Sequence, residues 1–219
     1  MVTAIIGLKE ISQRVPNKNF KLLNHKPLFA WVLDTLIEVG EISQILLNVD
    51  GKELISKLND FSRNFKKIQI IERERNLSGH NTPMTKIIKS TLQFAENDTI
   101  LNTHVTNPFL TKTSITKGIK LFFKNGKPVF SANELQSRLY DKNLKPINHN
   151  PEILQQTQDL EIIYEENSCF YIFDKKKFSK KNIRIFDNSV AYPISSIESV
   201  DIDTPEDWEL AVVIAKGLK

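Results

Sequence analysis

Short apolar runs and longer amphipathic segments alternate along this chain. An uninterrupted apolar run bounded by polar residues is typical of a strand that is buried on both faces of a sheet. Val2–Gly7 is the clearest example, with only Thr3 and Gly7 outside the aliphatic set. The strands predicted in this way are Val2–Gly7, Gln44–Val49, Lys67–Ile71, Thr99–Thr103, Pro128–Ala132, Cys169–Phe173 and Val190–Ile194.

The longer segments carry apolar residues at helical spacing. In the first of them, Leu28, Trp31, Leu36 and Val39 fall on one helical face. The helices predicted from such patterns are Pro27–Val39, Lys52–Phe61, Pro83–Phe94, Ser114–Phe123 and Pro205–Ala215. Strands that alternate with helices predict an α/β fold, with a doubly wound, mostly parallel sheet flanked by helices. In such sheets ligands bind beyond the carboxyl ends of the strands.

One segment departs from this alternation. Residues 133–166 are polar, contain Pro146 and Pro151, and form too long a stretch for an ordinary connection between elements. We expect this segment to leave the domain as an inserted arm, either towards a partner subunit or as a lid. The length of 219 residues suits a single domain over residues 1–219, with the arm inserted within it.

Composition excludes several classes of protein. Cys169 is the only cysteine, which excludes an internal disulfide and a cysteine-rich zinc site and favours a reducing, cytoplasmic location. No apolar stretch has the length of a membrane span, and residues 1–6 lack the features of a signal peptide. The net charge of +4 is spread along the chain, so nucleic-acid binding is not indicated. The densest basic run, Lys175 to Lys181, is interpreted as a solvated turn.

A basic loop follows the first predicted strand. Lys9, Arg14 and Lys18 lie within ten residues of one another, together with Ser12 and Asn19. Cations at the carboxyl end of a first strand could surround a triphosphate, whose negative charge must be neutralised for phosphoryl chemistry. The loop lacks the glycines of a P-loop. A solvated basic loop without a ligand is the alternative explanation.

Two carboxylates near the end of the chain form a second candidate site. Asp201 and Asp203 alternate on a strand-like segment, so both side chains point to one side. With phosphate oxygens completing the coordination, such a pair can hold Mg²⁺. The alternative is helix capping, with Asp203 or Thr204 as the N-cap and Pro205 in the first turn.

Polar residues also follow two other predicted strands, where the fold places its ligands. His104, Thr106 and Asn107 follow Thr99–Thr103, and Asn48-Val49-Asp50 ends the second strand. A lone histidine such as His104 is more often a structural residue than a catalytic one.

Taken together, these segments resemble the acylneuraminate cytidylyltransferase family (the CMP-N-acetylneuraminic acid synthetases) and the related CMP-Kdo synthetase, over nearly the whole chain. The segment from Ser199 to Thr204, with Asp207, is the most specific match. The other matching blocks are Ala4–Ile6 with Ser12–Asn19, Lys26–Leu28, Asn48–Asp50, Thr106–Phe109, Gln158–Leu160, Tyr164–Ser168 and Tyr171–Phe173.

The resemblance implies a fold, a reaction and a set of roles. It implies a nucleotide-diphospho-sugar transferase-like fold whose inserted arm makes a homodimer, and attack of a sugar acid on the α-phosphorus of CTP, with Mg²⁺ as cofactor. In bacteria the product would serve lipopolysaccharide, capsule or flagellin glycosylation. The implied catalytic residues are Lys18, Lys9 and Arg14. The implied nucleotide-binding residues are Leu8, Lys9, Ser12, Arg14, Lys18, Asn19, Arg73 and His80. The implied sugar-binding residues are His104, Thr106, Asn107, Gln158 and Tyr171, and the implied metal ligands are Asp201 and Asp203.

Several positions depart from the family pattern and leave alternatives open. The family's Pro-Ala-Arg-Gly-Gly start of the first loop is replaced by residues 7–11, so that Lys9 stands in place of an arginine, and Gln13 replaces a lysine. His80, His104 and Thr157 stand where an aspartate, a glutamine and an arginine are usual. The sugar could therefore be a sialic acid, Kdo, legionaminic acid or pseudaminic acid. A catalytically weak paralogue that binds a nucleotide or a partner is the other alternative.

Overall fold

A computed structural model describes residues 1–79 and 81–218 of the chain. All seven predicted strands and all five predicted helices are present within that part, with ends shifted by a few residues. The strands are Val2–Lys9 (β1), Leu22–Leu23 (β2), Lys26–Pro27 (β3), Ile42–Asp50 (β4), Ile68–Glu72 (β5), Thr99–Thr103 (β6), Val129–Leu135 (β7), Ile163–Asp174 (β8) and Val190–Pro193 (β9). The helices are Leu28–Glu38 (α1), Lys52–Ser62 (α2), Met84–Thr91 (α3), Lys112–Asn125 (α4), Lys175–Lys181 (α5) and Pro205–Gly217 (α6).

Seven strands form one sheet in the order β5-β4-β1-β6-β8-β7-β9, and β2 and β3 form a separate small hairpin. The strands β5, β4, β1 and β6 run parallel to one another, as do β7 and β9, whereas β8 is antiparallel to both β6 and β7. The predicted mostly parallel sheet is therefore confirmed. The carboxyl ends of the four parallel strands lie at one edge, where the candidate site is found.

The core includes two apolar layers, one on each face of the sheet, and a further cluster that joins α6 to Val15 of the basic loop. On one face, Ile6 of β1 packs with buried residues of α1, α2 and α4. On the other face, Ile5 packs with Ile88 of α3 and Phe178 of α5. Neighbouring residues of β1 thus enter opposite layers, and for this reason the strand is apolar at consecutive positions.

The basic run from Lys175 to Lys181 is a helix, so the predicted turn is wrong, whereas the predicted solvation is confirmed for Lys176, Lys177, Lys180 and Lys181, which are exposed. The Asp174 carboxylate accepts a 2.8 Å hydrogen bond from the Lys177 N–H and caps the first turn of α5. The helix is anchored by the fully buried Phe178, which stacks on Phe173 with the ring centroids 5.0 Å apart. With a single buried residue, α5 shows no apolar periodicity in the sequence.

The two ends of the predicted arm belong to the sheet. Strands β7 and β8 continue into it as a two-stranded ribbon, with Asn133 paired to Glu165 and Leu135 to Ile163. Residues 136–162 lie beyond the ribbon and contain one short 3-10 helix, Thr157–Asp159. Their base is tied together by Asn148, whose amide donates to the Ser137 and Glu161 carbonyls.

The described helices do not include one that is long and apolar enough to cross a membrane.

Candidate active site

A cleft of about 610 Å³ opens at the carboxyl ends of β1, β4, β5 and β6. This volume is within the usual range for small-molecule sites. It is bordered by the loop after β1, the loop after β5, the residues after β6 and the segment before α6. Its lining includes Gly7, Leu8, Lys9, Ser12, Gln13, Arg14, Lys18, Asn19, Arg73, Gly79, Asn81, Thr82, His104, Val105, Thr106, Ser168, Asp201 and Asp203.

The basic loop is joined to the acidic segment before α6. The Lys18 ammonium group donates to the Ile202 carbonyl and lies 3.3 Å from the Asp203 carboxylate. Arg14 pairs with the same carboxylate at 3.0 Å. The Lys18 side chain is 11% exposed and the Arg14 side chain 62% exposed, so that the lysine forms the base of the cleft and the arginine its rim.

Two polar residues hold the loop in shape. Asn19 donates its amide to the Lys9 carbonyl at 2.7 Å and so connects the end of the loop to the end of β1. The Glu10 carboxylate accepts hydrogen bonds from the Glu53 and Leu54 N–H groups, at 3.1 and 3.3 Å, and caps the first turn of α2. Sequence reasoning missed Glu10, because its partners lie more than 40 residues away.

The acidic segment is capped without using either of its two predicted metal ligands. Thr204 is the N-cap of α6, and the Asp207 carboxylate accepts from the N–H groups of Asp203 and Thr204 at 2.9 and 2.7 Å. The side chains of Asp201 and Asp203 are therefore left for other roles. One buried oxygen of Asp201 has no hydrogen-bond partner in the described part of the chain. Burial raises the pKa of Asp201, and its hydrogen bond with Thr106 opposes this shift.

Arg73 forms a buried wall of the cleft at the ends of β1 and β4. Its guanidinium group donates to the Asn48 side chain at 2.8 Å and to the carbonyls of Leu8 and Asn48 at 2.9 and 3.0 Å. Burial lowers the pKa of Arg73, and Asp50, 3.8 Å away, opposes that effect. The Asp50 carboxylate also accepts hydrogen bonds from Ser78 and from the Gly79 N–H, which fastens the loop after β5 over the cleft.

Another part of the cleft lining is formed by His104, Thr106 and Ser168. Burial is the largest influence on His104; Arg184 and Lys18 add to it, Asp203 opposes it, and the pKa of the imidazole falls to about 4. His104 is therefore neutral at pH 7. Ser168 has a φ of 60°, a left-handed conformation that is uncommon for a residue with a side chain.

A family model described as cytidylyltransferase matches residues 3–216, nearly the whole chain. The chain belongs to the cytidylyltransferase family. It is 26% identical over 219 residues to N-acylneuraminate cytidylyltransferase A of Danio rerio, an alignment that covers 96% of this chain and 50% of that protein. It is 24% identical to the pseudaminic acid cytidylyltransferase of Campylobacter jejuni, covering 97% of this chain and 95% of that one. The chain thus spans half the length of the Danio rerio relative and nearly all of the bacterial one.

The fold is also similar to that of a solved structure. The structure of CMP:2-keto-3-deoxy-manno-octonic acid synthetase complexed with CTP matches with a TM-score of 0.70 and 10% identity, covering 99% of each chain. At that identity the likeness concerns the fold alone. It agrees with the predicted arrangement of a mostly parallel sheet flanked by helices.

Three residues predicted to bind the sugar do not line the cleft of this cytidylyltransferase family member. Asn107 is fully buried, and its amide donates to the Val200 carbonyl at 3.3 Å. Tyr171 is also fully buried, behind Ser168, and the two hydroxyl oxygens are 3.0 Å apart. Gln158 is exposed on the arm. His80, predicted to bind the nucleotide, lies outside the described residues.

Arg184 was missed at the sequence level, although it lies directly behind His104. It donates to the Asn102 side chain at 3.1 Å and is 3.4 Å from the imidazole Nε2 of His104. Eighty residues separate Arg184 from His104, and Arg184 lies in a connection between α5 and β9 that matches no motif. A contact of this kind leaves no pattern in a single sequence.

Proposed function

We propose that this chain transfers the cytidylyl group of CTP to a 2-keto sugar acid, giving the CMP-sugar and pyrophosphate. The observation that carries this proposal is one cleft in which Lys18 and Arg14 face the carboxylate pair Asp201 and Asp203. Membership of the cytidylyltransferase family supports the nucleotide, and the names of the two relatives support the class of sugar acid.

The triphosphate is proposed to lie along the basic loop. Lys9, Arg14 and Lys18, together with Ser12, would contact its oxygens, and Arg73 forms the wall near the ends of β1 and β4. The sugar hydroxyl would attack the α-phosphorus, form the new phosphorus–oxygen bond and expel pyrophosphate. Cations held in place before the reaction stabilise the charge that develops on the phosphates. Asp203 helps to hold Lys18 and Arg14, since it pairs with both.

Asp201 and Asp203 are the residues that would hold Mg²⁺. The buried Asp201 oxygen that has no partner in the described chain suits a cation, because burial of an unpaired carboxylate oxygen is costly. Two carboxylates with phosphate oxygens form the all-oxygen ligand set that Mg²⁺ prefers. The described residues contain no group of three or more side chains suited to a metal, so substrate or water oxygens would complete the shell. When bound, Mg²⁺ would offset the phosphate charge.

The sugar acid is proposed to occupy the part of the cleft formed by His104, Thr106 and Ser168. These polar groups suit a ring rich in hydroxyl groups. A sialic acid or a related nonulosonic acid is the first candidate, because the relatives are named for N-acylneuraminate and pseudaminic acid. Kdo is the alternative, since the structural neighbour is named as the synthetase of its CMP derivative.

Pyrophosphate release tests the proposed reaction. Purified protein would be incubated with CTP, Mg²⁺ and, separately, N-acetylneuraminate, pseudaminate, legionaminate or Kdo. We expect turnover with at least one acid and none with the phosphate of a neutral hexose, which has no carboxylate. The reverse result would move the protein to another branch of the nucleotidyltransferases. Saturable CTP binding with no turnover on any acid would instead support the catalytically weak paralogue that the altered first loop suggests.

The arm is proposed to make a homodimer. Residues 136–162 expose six large apolar side chains, among them Leu144 at 80%, Ile153 at 59% and Leu154 at 89%. Clustered exposed apolar groups mark association sites, and a two-fold dimer is the commonest way to bury them. Light scattering at micromolar concentration tests this: a monomeric mass would reject the dimer.

A cytoplasmic location is proposed as well, consistent with the single, buried Cys169.

A further inference from the structure

A polar network lies behind the wall of the cleft where the sugar acid is proposed to bind. Arg184 is its centre. The guanidinium group stacks on the Tyr171 ring, 3.8 Å from the centroid, and is 21% exposed as a side chain. It contacts His104 on one side and faces Glu166 at 3.9 Å on the other. His104 lines the cleft, whereas Arg184 does not.

The contact between Arg184 and His104 determines which ring nitrogen carries the proton. A guanidinium group can only donate hydrogen bonds. The Nε2 atom of His104, 3.4 Å from Arg184 Nη1, must therefore accept. A neutral imidazole has one donor and one acceptor, so the proton is on Nδ1. His104 is kept neutral by its burial and by the nearby cations Arg184 and Lys18, against the opposing charge of Asp203.

The second branch of the network reaches Ser168, the other cleft residue. Tyr171 donates its hydroxyl to the Glu166 carboxylate and lies 3.0 Å from the Ser168 hydroxyl. Ser168 has its strained φ of 60° on strand β8. Strain of this kind persists only where the surroundings impose it, and it is concentrated at functional sites. Arg184 thus contacts His104 directly, and it also contacts Tyr171, which in turn contacts Ser168.

We propose that Arg184 is a positioning residue for sugar-acid recognition, which holds His104 as a neutral Nδ1–H donor towards an oxygen of the bound sugar acid. This inference rests on the proposed function for the identity of the ligand. The contact between Arg184 and His104 carries the tautomer itself. Arg184 neither lines the cleft nor contacts the nucleotide loop in the described structure, so its effect should be confined to the proposed sugar site.

The tautomer can be measured without any substrate. We would record ring ¹H–¹⁵N correlation spectra of the ¹⁵N-labelled protein at pH 7 and assign the His104 signals from their loss in His104→Gln. We expect the pattern of a neutral ring protonated on Nδ1 in the wild type. We expect a signal shifted towards Nε2–H in Arg184→Met, which keeps an apolar chain over Tyr171 but removes the donors. A wild-type His104 ring protonated on Nε2 would overturn the proposal, even if every Arg184 variant failed to fold.

Kinetics then test the consequence for recognition. Loss of one well-placed hydrogen bond should lower kcat/KM for the sugar acid about tenfold in Arg184→Met, with little change in KM for CTP. Arg63→Met is the matched control, since Arg63 is an exposed arginine on the surface next to α2, paired with Asp60. Unchanged kcat/KM for the sugar acid in folded Arg184→Met would reject the role. If the wild type turned over no sugar acid, the proposed function would fail, while the tautomer would still be decided by the spectra.

Discussion

Lys18 and Asp203 meet at 3.3 Å, although 185 residues separate them in the sequence. This contact closes the cleft, because it joins the loop after β1 to the segment before α6. Arg14 pairs with the same carboxylate from the rim, at 3.0 Å. Asp203 is therefore placed both to align two cations of the proposed phosphate site and to serve as one of the two proposed metal ligands.

Asp203→Asn should lower turnover by about two to three orders of magnitude, the usual effect of removing a group that stabilises charge in the transition state. The melting temperature should change little, because Asp203 and Arg14 are both substantially exposed and exposed ion pairs contribute little to stability. Asp60→Asn, which removes the surface pair with Arg63, is the control. Wild-type turnover in Asp203→Asn would contradict the role.

Lys18→Ala and Arg14→Ala should each weaken CTP binding more than binding of the sugar acid. The reason is that both cations lie on the loop at the proposed triphosphate, where they would pair with its phosphate oxygens. Isothermal titration with CTP should show Kd raised by about tenfold, the effect of losing one charge-assisted hydrogen bond. Lys176→Ala on α5 is the control. Equal losses of CTP and sugar-acid affinity, together with a lower melting temperature of the free protein, would favour a structural role.

Removal of divalent cations with EDTA should abolish turnover, and added Mg²⁺ should restore it. Asp201→Asn should raise the Mg²⁺ concentration needed for half-maximal turnover. In EDTA the same variant should melt at an equal or higher temperature than the wild type, because its amide removes a buried, unpartnered carboxylate oxygen. Full turnover without divalent cations would contradict the metal site, and so would an unaltered Mg²⁺ requirement in Asp201→Asn.

Acidification should destabilise the fold partly through His104. The pKa of the His104 imidazole is about 4 in the folded protein, against an ordinary value of 6.5 for a histidine in the unfolded chain. Between these pH values the unfolded chain binds more protons at this site than the folded chain, so stability falls as pH is lowered from 6.5 towards 4. His104→Gln should therefore lose less melting temperature between pH 7 and pH 5 than the wild type. His25→Asn, at an exposed turn, should behave as the wild type; a parallel decrease in all three proteins would exclude His104 as a cause.

Gly51→Ala should destabilise the protein by about 2 kcal/mol or more. Gly51 has a φ of +132°, and an added Cβ would lie 2.3 Å from the Glu10 carboxylate, which caps α2. Gly40→Ala, where an added Cβ meets nothing within 4 Å, is the control and should stay within about 0.5 kcal/mol. Chemical denaturation measures both. Adding Glu10→Gly should recover part of the Gly51→Ala loss, since it removes both the carboxylate and the Glu10 Cβ, which would lie 2.4 Å from the added Cβ. Simple additivity of the two losses would contradict the explanation.

The order and type of the main elements could be predicted from the sequence. The apolar run of β1 predicts a strand buried on both faces, and Ile5 and Ile6 do enter opposite layers of the core. Helix α5 could not be predicted in this way, because only Phe178 anchors it. Hydrophobic periodicity predicts an element only when several of its residues are buried, and it gives no signal when a single residue makes the contact with the core.

The features of the candidate site can likewise be separated into those that the sequence predicts and those that it does not. Sequence alone determined the basic loop and the carboxylate pair as chemical groups, since residue type and local spacing carry that information. Only the tertiary structure decided that Lys18 meets Asp203 and that Tyr171 is behind the cleft wall. It also brought Arg184 to His104. These relationships join residues from different strands and loops, and the register and packing of the sheet that brings them together are long-range properties that no local pattern encodes.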